Sequence, residues 1–205
     1  MKIVCVGRNY AEHARELQNP VPSEPVIFVK PETALLPPGE PFVLPSHSSD
    51  VHHELEVVVR LGARARRVTR DEAGGCYEEI GLGIDFTARD VQRVCKEKGL
   101  PWEKAKAFDG SAPVGRFVAK QDLGDVGALA FHLLRNGNRA QQGNTRDLLF
   151  GFDELISYVS GFMTFEAGDL LFTGTPAGVG PVVAGDLLQG FLRDENLLEV
   201  SVVGQ

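Results

Sequence analysis

Apolar and polar positions change period several times along the chain, and each change marks an element. Residues 2–6, "KIVCV", are a short apolar run that predicts a strand. In "NYAEHARELQ", Tyr10, Ala14 and Leu17 recur at helical spacing and predict a short helix. Pro and Ser punctuate residues 18–50, where "PVIFVKP" reads as a strand among loops and edge structure. In "VHHELEVVVRLG", residues 51–62, Val57, Val58, Val59 and Leu61 read as a strand buried on both faces. Strand period sends His52, Glu54 and Glu56 to one side at its mouth. "EIGLGIDF" follows, with glycines that imply close backbone approach. "TARDVQRVCKEKG" predicts a helix capped by Thr87, with Asp90 in a capping box and Gly99 as the stop. Its buried stripe is Ala88, Val91, Val94 and Cys95, with Arg89, Gln92, Arg93 and Lys96 off it. "ALAFHLLRNGNRAQQG" alternates about a hairpin at Asn136-Gly137, and "FDELISYVSGFM" is a second amphipathic helix. Strands at "DLLF", "DLLQGFLRD" and "LLEVSVV" complete the chain, with a hairpin near Asp194. The pattern predicts a β-rich α+β fold, one domain over residues 1–205, without repeats or a dividing linker.

Composition narrows this picture. The 205 residues are 43% hydrophobic with mixed charges, which suits a globular domain and excludes intrinsic disorder. A net charge of -7 and the lack of a basic run oppose nucleic-acid binding. No apolar stretch approaches the roughly 18 residues of a membrane span, and "MKIVCVG" reads as a strand rather than a signal peptide. Three cysteines without paired spacing fit small buried residues in a reduced, cytoplasmic compartment.

The candidate chemistry begins with Glu54 and Glu56, because ionised carboxylates at a core strand need a cation. Asp85, at the end of an apolar run and just before the predicted helix, is a third acid that can point out of a sheet end. Three carboxylates without thiolates suit a hard divalent ion, Mg²⁺ or Mn²⁺. On spacing alone a solvent-facing acidic strand edge would look similar. His13 and Glu16, at i and i+3, share a helix face, so Glu16 could orient the imidazole; an exposed surface pair has the same spacing. In "WEKAKAF" both Lys104 and Lys106 are candidates by composition. "TGTPAGVGP" could wrap a small anion with backbone N–H groups and the hydroxyls of Thr173 and Thr175, but it lacks the spacing of a P-loop.

Six segments, "VGRNYAEH", "EPVIFVKPETAL", "VHHELEVVVRLG", "GIDFTARDVQ", "GLPWEKAKAFDGSAP" and "FTGTPAGVGPV", occur in the order found in the fumarylacetoacetate hydrolase family. The chain resembles the short branch that contains acylpyruvate hydrolases and oxaloacetate decarboxylases, over nearly its whole length. The resemblance implies a β-sandwich roll with few helices, usually a homodimer. It implies that the family's His-x-Glu-x-Glu motif falls on His52, Glu54 and Glu56, with Glu54, Glu56 and Asp85 as ligands for Mg²⁺ or Mn²⁺. It further implies a catalytic His13–Glu16 dyad and an active-site lysine at Lys106 rather than Lys104, with Arg89, Gln92 and Thr175 at ligand-binding positions.

The activity expected first is hydrolysis of the carbon–carbon bond of acylpyruvates, small 2,4-dioxo acids. The alternative is oxaloacetate decarboxylation or a related 2-oxo acid lyase or isomerase reaction. Both need a cationic site that stabilises an enolate, and only hydrolysis needs a base to activate water.

Overall fold

The computed structural model of the chain describes residues 1–16 and 21–205; the side chains of residues 13–15 lie outside the description. Two β-sheets carry most of the strands. The larger has six, in the order Val118–Ala119, Tyr77–Ile84, Leu55–Leu61, Leu170–Phe172, Lys2–Gly7, Val26–Pro31. Its neighbours are antiparallel except Lys2–Gly7 beside Leu170–Phe172, which run parallel. The second sheet has five strands, in the order Asn138–Asn144, Ala130–Arg135, Leu187–Leu192, Glu195–Val203, Phe42–Val43. With its few short helices, the chain has the strand-rich α+β fold that the pattern predicts.

Residue parity on the Leu55–Leu61 strand shows why it had to be apolar throughout. Leu55, Val57, Val59 and Leu61 enter the main core with Phe131, Leu133, Leu188 and Val200 of the second sheet. Val58 enters a separate cluster with Ile3, Cys5, Leu170 and Phe172. Burying each such side chain stabilises the fold by about 1.5–3 kcal/mol. Glu56 shares the parity of Val58, so the strand directs it away from the main core and toward the smaller cluster.

The glycines of "EIGLGIDF" do mark a close approach. Gly83 lies opposite Glu56, and a Cβ there would sit 2.7 Å from the Phe172 ring. The Asn136-Gly137 hairpin forms with φ of 53° and 78°, the two positive values that a type I′ turn requires.

The "TARDVQRVCKEKG" helix departs from expectation at its start. It runs Arg89–Lys98 and ends at Gly99 in the left-handed region as predicted, but Ala88 occupies the cap position. Thr87 is instead a buried strand residue whose hydroxyl accepts a hydrogen bond from Lys106 Nζ. Asp90 accepts from Ser48 Oγ and the Ser49 N–H rather than closing a capping box. Of the predicted stripe, Ala88 and Cys95 are buried, but Val94 is exposed and Gln92 takes a buried place instead, because part of the inward face belongs to a polar site. The helix predicted from Tyr10, Ala14 and Leu17 runs Ala11–Glu16; Leu17 and the Ala14 side chain lie outside the described residues. All three cysteines are free and buried, as expected.

Candidate active site

The pairing of Val51–His53 into a separate three-stranded sheet ends at Glu54, where the backbone leaves regular strand geometry before Leu55 resumes it. Gln141, reaching across from the second sheet, holds this break. Its carbonyl accepts from the Leu55 N–H at 2.9 Å and bonds His53 Nδ1 at 3.0 Å. Its amide donates to Thr175 Oγ1 and the Pro176 carbonyl. With the break fixed, the Asp85 N–H donates to the Glu54 carbonyl, and the ends of two adjacent strands are locked side by side.

This geometry brings Glu54, Glu56 and Asp85 together. All three are buried, and each offers a carboxylate oxygen within 4.8 Å of the others. A buried set of three hard oxygen donors fits a divalent cation. His52 takes no part: its Nε2 lies 2.9 Å from Asp50, and burial, then the nearby Arg89 charge, lowers its pKa. The predicted row of three side chains is therefore a cluster of two glutamates with Asp85.

Lys106 ends the short Glu103–Lys106 helix and is buried, whereas Lys104 on the same helix is exposed. Its ammonium donates to Glu54 Oε2 at 2.7 Å, Asp85 Oδ2 at 2.6 Å and Thr87 Oγ1 at 2.6 Å. Burial pulls its pKa down, but Asp85 and Glu54 outweigh this and raise it above the ordinary lysine value, so it stays a cation. Glu56 contrasts with it. Burial, then repulsion from Asp85 and Glu54, raises its pKa well above the carboxylate range, against a 2.7 Å hydrogen bond from the Gly174 N–H.

Arg89 and Gln92, at i and i+3 on the first turn of their helix, both line the cavity beside the acids. The Arg89 guanidinium donates to Glu54 Oε1 at 2.5 Å and to Gln92 Oε1 at 2.8 Å. Phe28 and Trp102 form an apolar wall of the same cavity.

The glycine-rich loop binds carboxylates of the chain itself. Gly174 N–H holds Glu56, and Gly178 N–H donates to Glu16 at 3.1 Å. Thr173 and Thr175 direct their hydroxyls to the carbonyls of Val57 and Leu55, both at 2.8 Å. Contrary to the expectation, these hydroxyls are committed to the backbone of the acidic strand; Thr175 still lines the cavity. Glu16 therefore lies at this loop, while the side chain of His13 is outside the described residues.

Three contributors went unnoticed in the sequence. Lys30, fully buried, reaches Asp85 Oδ1 at 2.8 Å from the far side and donates to the Ser111 carbonyl and hydroxyl. Asn9, also fully buried, donates to the Thr173 carbonyl at 2.8 Å and accepts from Phe150 N–H at 2.9 Å. A Cβ on Gly174, whose φ is 100°, would stand 2.7 Å from Asn9 Cβ, so glycine is what lets this loop reach Glu56. Gln141 is the third. The signals available were a lysine in the apolar "VIFVKP" run and a glutamine in an alternating strand; neither residue type reveals a buried partner.

A match to the fumarylacetoacetate (FAA) hydrolase C-terminal family spans residues 2–205, and the chain belongs to this family of enzymes. It is similar to the mitochondrial oxaloacetate tautomerase FAHD1 of Bos taurus, 49% identical over 187 residues, covering 91% of this chain and 85% of that protein. It is also similar to a mitochondrial oxaloacetate decarboxylase of Dictyostelium discoideum, 41% identical over 189 residues, covering 92% and 87%. Among solved structures, the fumarylpyruvate hydrolase of Pseudomonas aeruginosa in complex with Mn²⁺ and pyruvate superposes with a TM-score of 0.94 at 35% identity, covering 100% of this chain and 90% of that one. No described helix is long and apolar enough to cross a membrane. Both oxaloacetate enzymes are named as mitochondrial, so they lend no support to the cytoplasmic expectation.

Proposed function

We propose that this protein is a divalent-metal-dependent enzyme of oxaloacetate, interconverting its keto and enol forms and decarboxylating it. Carbon–carbon hydrolysis of acylpyruvates is the second reading. The observation that carries the proposal is the buried Glu54–Glu56–Asp85 cluster with the Lys106 ammonium bonded across two of its members. The sequence reading ranked hydrolysis first; the oxaloacetate tautomerase and decarboxylase relatives favour the alternative.

Glu54, Glu56 and Asp85 would hold Mg²⁺ or Mn²⁺, which supplies Lewis-acid polarisation of a 2-oxo acid's carbonyl. The chain's own residues do the rest. In tautomerisation a proton leaves C3 and one is delivered to the keto oxygen. In decarboxylation the C3–C4 bond breaks, CO₂ departs and the remaining pyruvate enolate takes a proton at C3. Both routes build negative charge on the enolate oxygen, and Lys106 is a preorganised cation in a buried site where such charge is stabilised most. Arg89 and Gln92 orient the acid beside it.

Hydrolysis needs one further part, a base that takes a proton from water so that hydroxide attacks the distal carbonyl. His13 oriented by Glu16 is that base in the second reading. The specific observation favouring it is Glu16 docked on Gly178 N–H, on the loop that also holds Glu56.

Purified protein supplied with Mn²⁺ should turn over oxaloacetate faster than acetylpyruvate or fumarylpyruvate, and a chelator should abolish activity until metal is restored. Glu56→Gln should lose Mn²⁺ binding, read by calorimetry, together with turnover. Chelator-resistant turnover combined with wild-type Mn²⁺ affinity in Glu56→Gln would remove the proposal. Faster hydrolysis than oxaloacetate turnover would promote the second reading.

A further inference from the structure

Among the described residues, four cations line the cavity: Arg8, Arg89, Lys96 and Lys106. Two already have buried acids, Arg89 on Glu54 and Lys106 on Glu54 and Asp85. Arg8 and Lys96 line the same space without a carboxylate at ion-pair distance among the described residues; the Glu54 charge still reaches Lys96, whose ammonium stands 5.7 Å from the centre of the Trp102 ring. Burial, then the charges of Arg8 and Arg89, lowers the Lys96 pKa, as expected where cations crowd together.

Arg8 is also placed deliberately by the backbone. Its φ is 61°, a left-handed conformation that non-glycine residues adopt at a cost. The stretch cannot relax easily. On one side the chain is paired in the six-stranded sheet through Gly7. On the other, the Asn9 side chain is clamped to Phe150 and Thr173, and the Asn9 backbone carbonyl accepts from Leu149 N–H. A strained residue held between two fixed neighbours is a recurrent feature of ligand clamps. Here the residue carries a guanidinium, whose fork of donors matches a carboxylate.

We propose that Arg8, supported by Lys96, binds the distal carboxylate of a 2-oxo dicarboxylic acid whose reacting end lies at Glu54, Glu56 and Asp85. The inference rests on the oxaloacetate reading above and adds the residues that would select dicarboxylates over monocarboxylic acylpyruvates. Excess cations in the cavity favour a dianion, and the Phe28–Trp102 wall offers the remaining carbons an apolar surface.

The test compares a ligand that has the distal carboxylate with one that lacks it, using the full chain supplied with Mn²⁺. A charge-assisted hydrogen bond to a carboxylate predicts that Arg8→Gln raises the KM for oxaloacetate about ten- to a hundredfold, with kcat changing far less. The inhibition constant of pyruvate, which has no distal carboxylate, should shift by less than about threefold, well inside that window. Arg8→Lys should recover part of the oxaloacetate affinity. Equal weakening of oxaloacetate and pyruvate, or an unchanged KM for oxaloacetate, would overturn the assignment. Should the wild-type protein turn over no 2-oxo acid, the functional reading falls by itself. Calorimetric binding of oxaloacetate against pyruvate, in wild type and Arg8→Gln, then decides the subsite by the same criterion.

Discussion

The two sides of Asp85 are built from the same chemistry and differ in what can reach them. On one side Lys30, from the edge strand Val26–Pro31, is fully buried, ion-paired with Asp85 Oδ1 and hydrogen-bonded twice to Ser111. On the other, Lys106 bonds Asp85 Oδ2, Glu54 and Thr87 and lines the cavity. One carboxylate thus has a lysine on each oxygen. The inner one has its donors occupied by protein and cannot touch a ligand. The outer one faces the space where a ligand would react. Residue type and burial are shared, so the division between holding the site and acting in it comes from access alone.

Breaking the inner pair should have the largest effect. Lys30→Met leaves Asp85 Oδ1 and the Ser111 carbonyl buried without the Lys30 ammonium, in a region the cavity does not reach, even though Lys106 still holds Oδ2. Removing one partner of a buried ion pair costs about 3–5 kcal/mol. Urea denaturation should show that loss, with activity falling in step with the folded fraction. If Lys30→Met proves as stable as wild type, the proposed division fails.

Lys106→Met sharpens the contrast from the other side. Losing a preorganised cation at the developing enolate should lower kcat by about 10²–10³-fold. The stability loss should be smaller than for Lys30→Met, because water in the cavity can reach Glu54 and Arg89 still pairs with it. A variant that keeps kcat but unfolds easily would make Lys106 a second structural lysine. The smallest effect belongs to Thr175→Val. It removes one hydrogen bond to the Leu55 carbonyl and one from Gln141, each worth about 0.5–1.5 kcal/mol. Denaturation should register that loss while KM stays within about twofold, below the 1.4 kcal/mol that a tenfold change represents. A large KM increase would support the ligand-binding role that the family resemblance implies for Thr175.

The same contrast explains what was legible in the sequence. Of the residues that line the cavity, Glu54, Glu56 and Asp85 could be singled out as candidate acids from their place in the pattern, and the family resemblance added Arg89, Gln92 and Lys106, while Arg8 and Lys96 were not singled out. Strand periodicity was readable because residues 55–61 fill two separate clusters. The supporting residues were hidden. Lys30, Asn9 and Gln141 act through partners 55, 164 and 34 positions away, at Asp85, Thr173 and Thr175, and no local pattern encodes such distances. Thr87 shows the opposite error. A threonine before a helix is normally a good cap, but the Lys106 ammonium claimed its hydroxyl and tertiary structure overrode local preference. The glycine-rich loop misled for a related reason, since its N–H groups do hold carboxyl oxygens, but those of the chain's own Glu56 and Glu16.

The parallel pairing of Lys2–Gly7 with Leu170–Phe172 has a consequence for biosynthesis. A ribosome adding roughly 5–20 residues per second needs on the order of 10–30 s to pass from the first strand to its partner. During that interval "KIVCV" can pair with Val26–Pro31 on one side only, leaving an apolar edge that is prone to association. The acids at 54, 56 and 85 are synthesised long before Gly174 can grip Glu56. Nascent chains therefore pass through a long stage without the assembled centre, and chaperone capture or cotranslational aggregation would act there, before any catalysis begins.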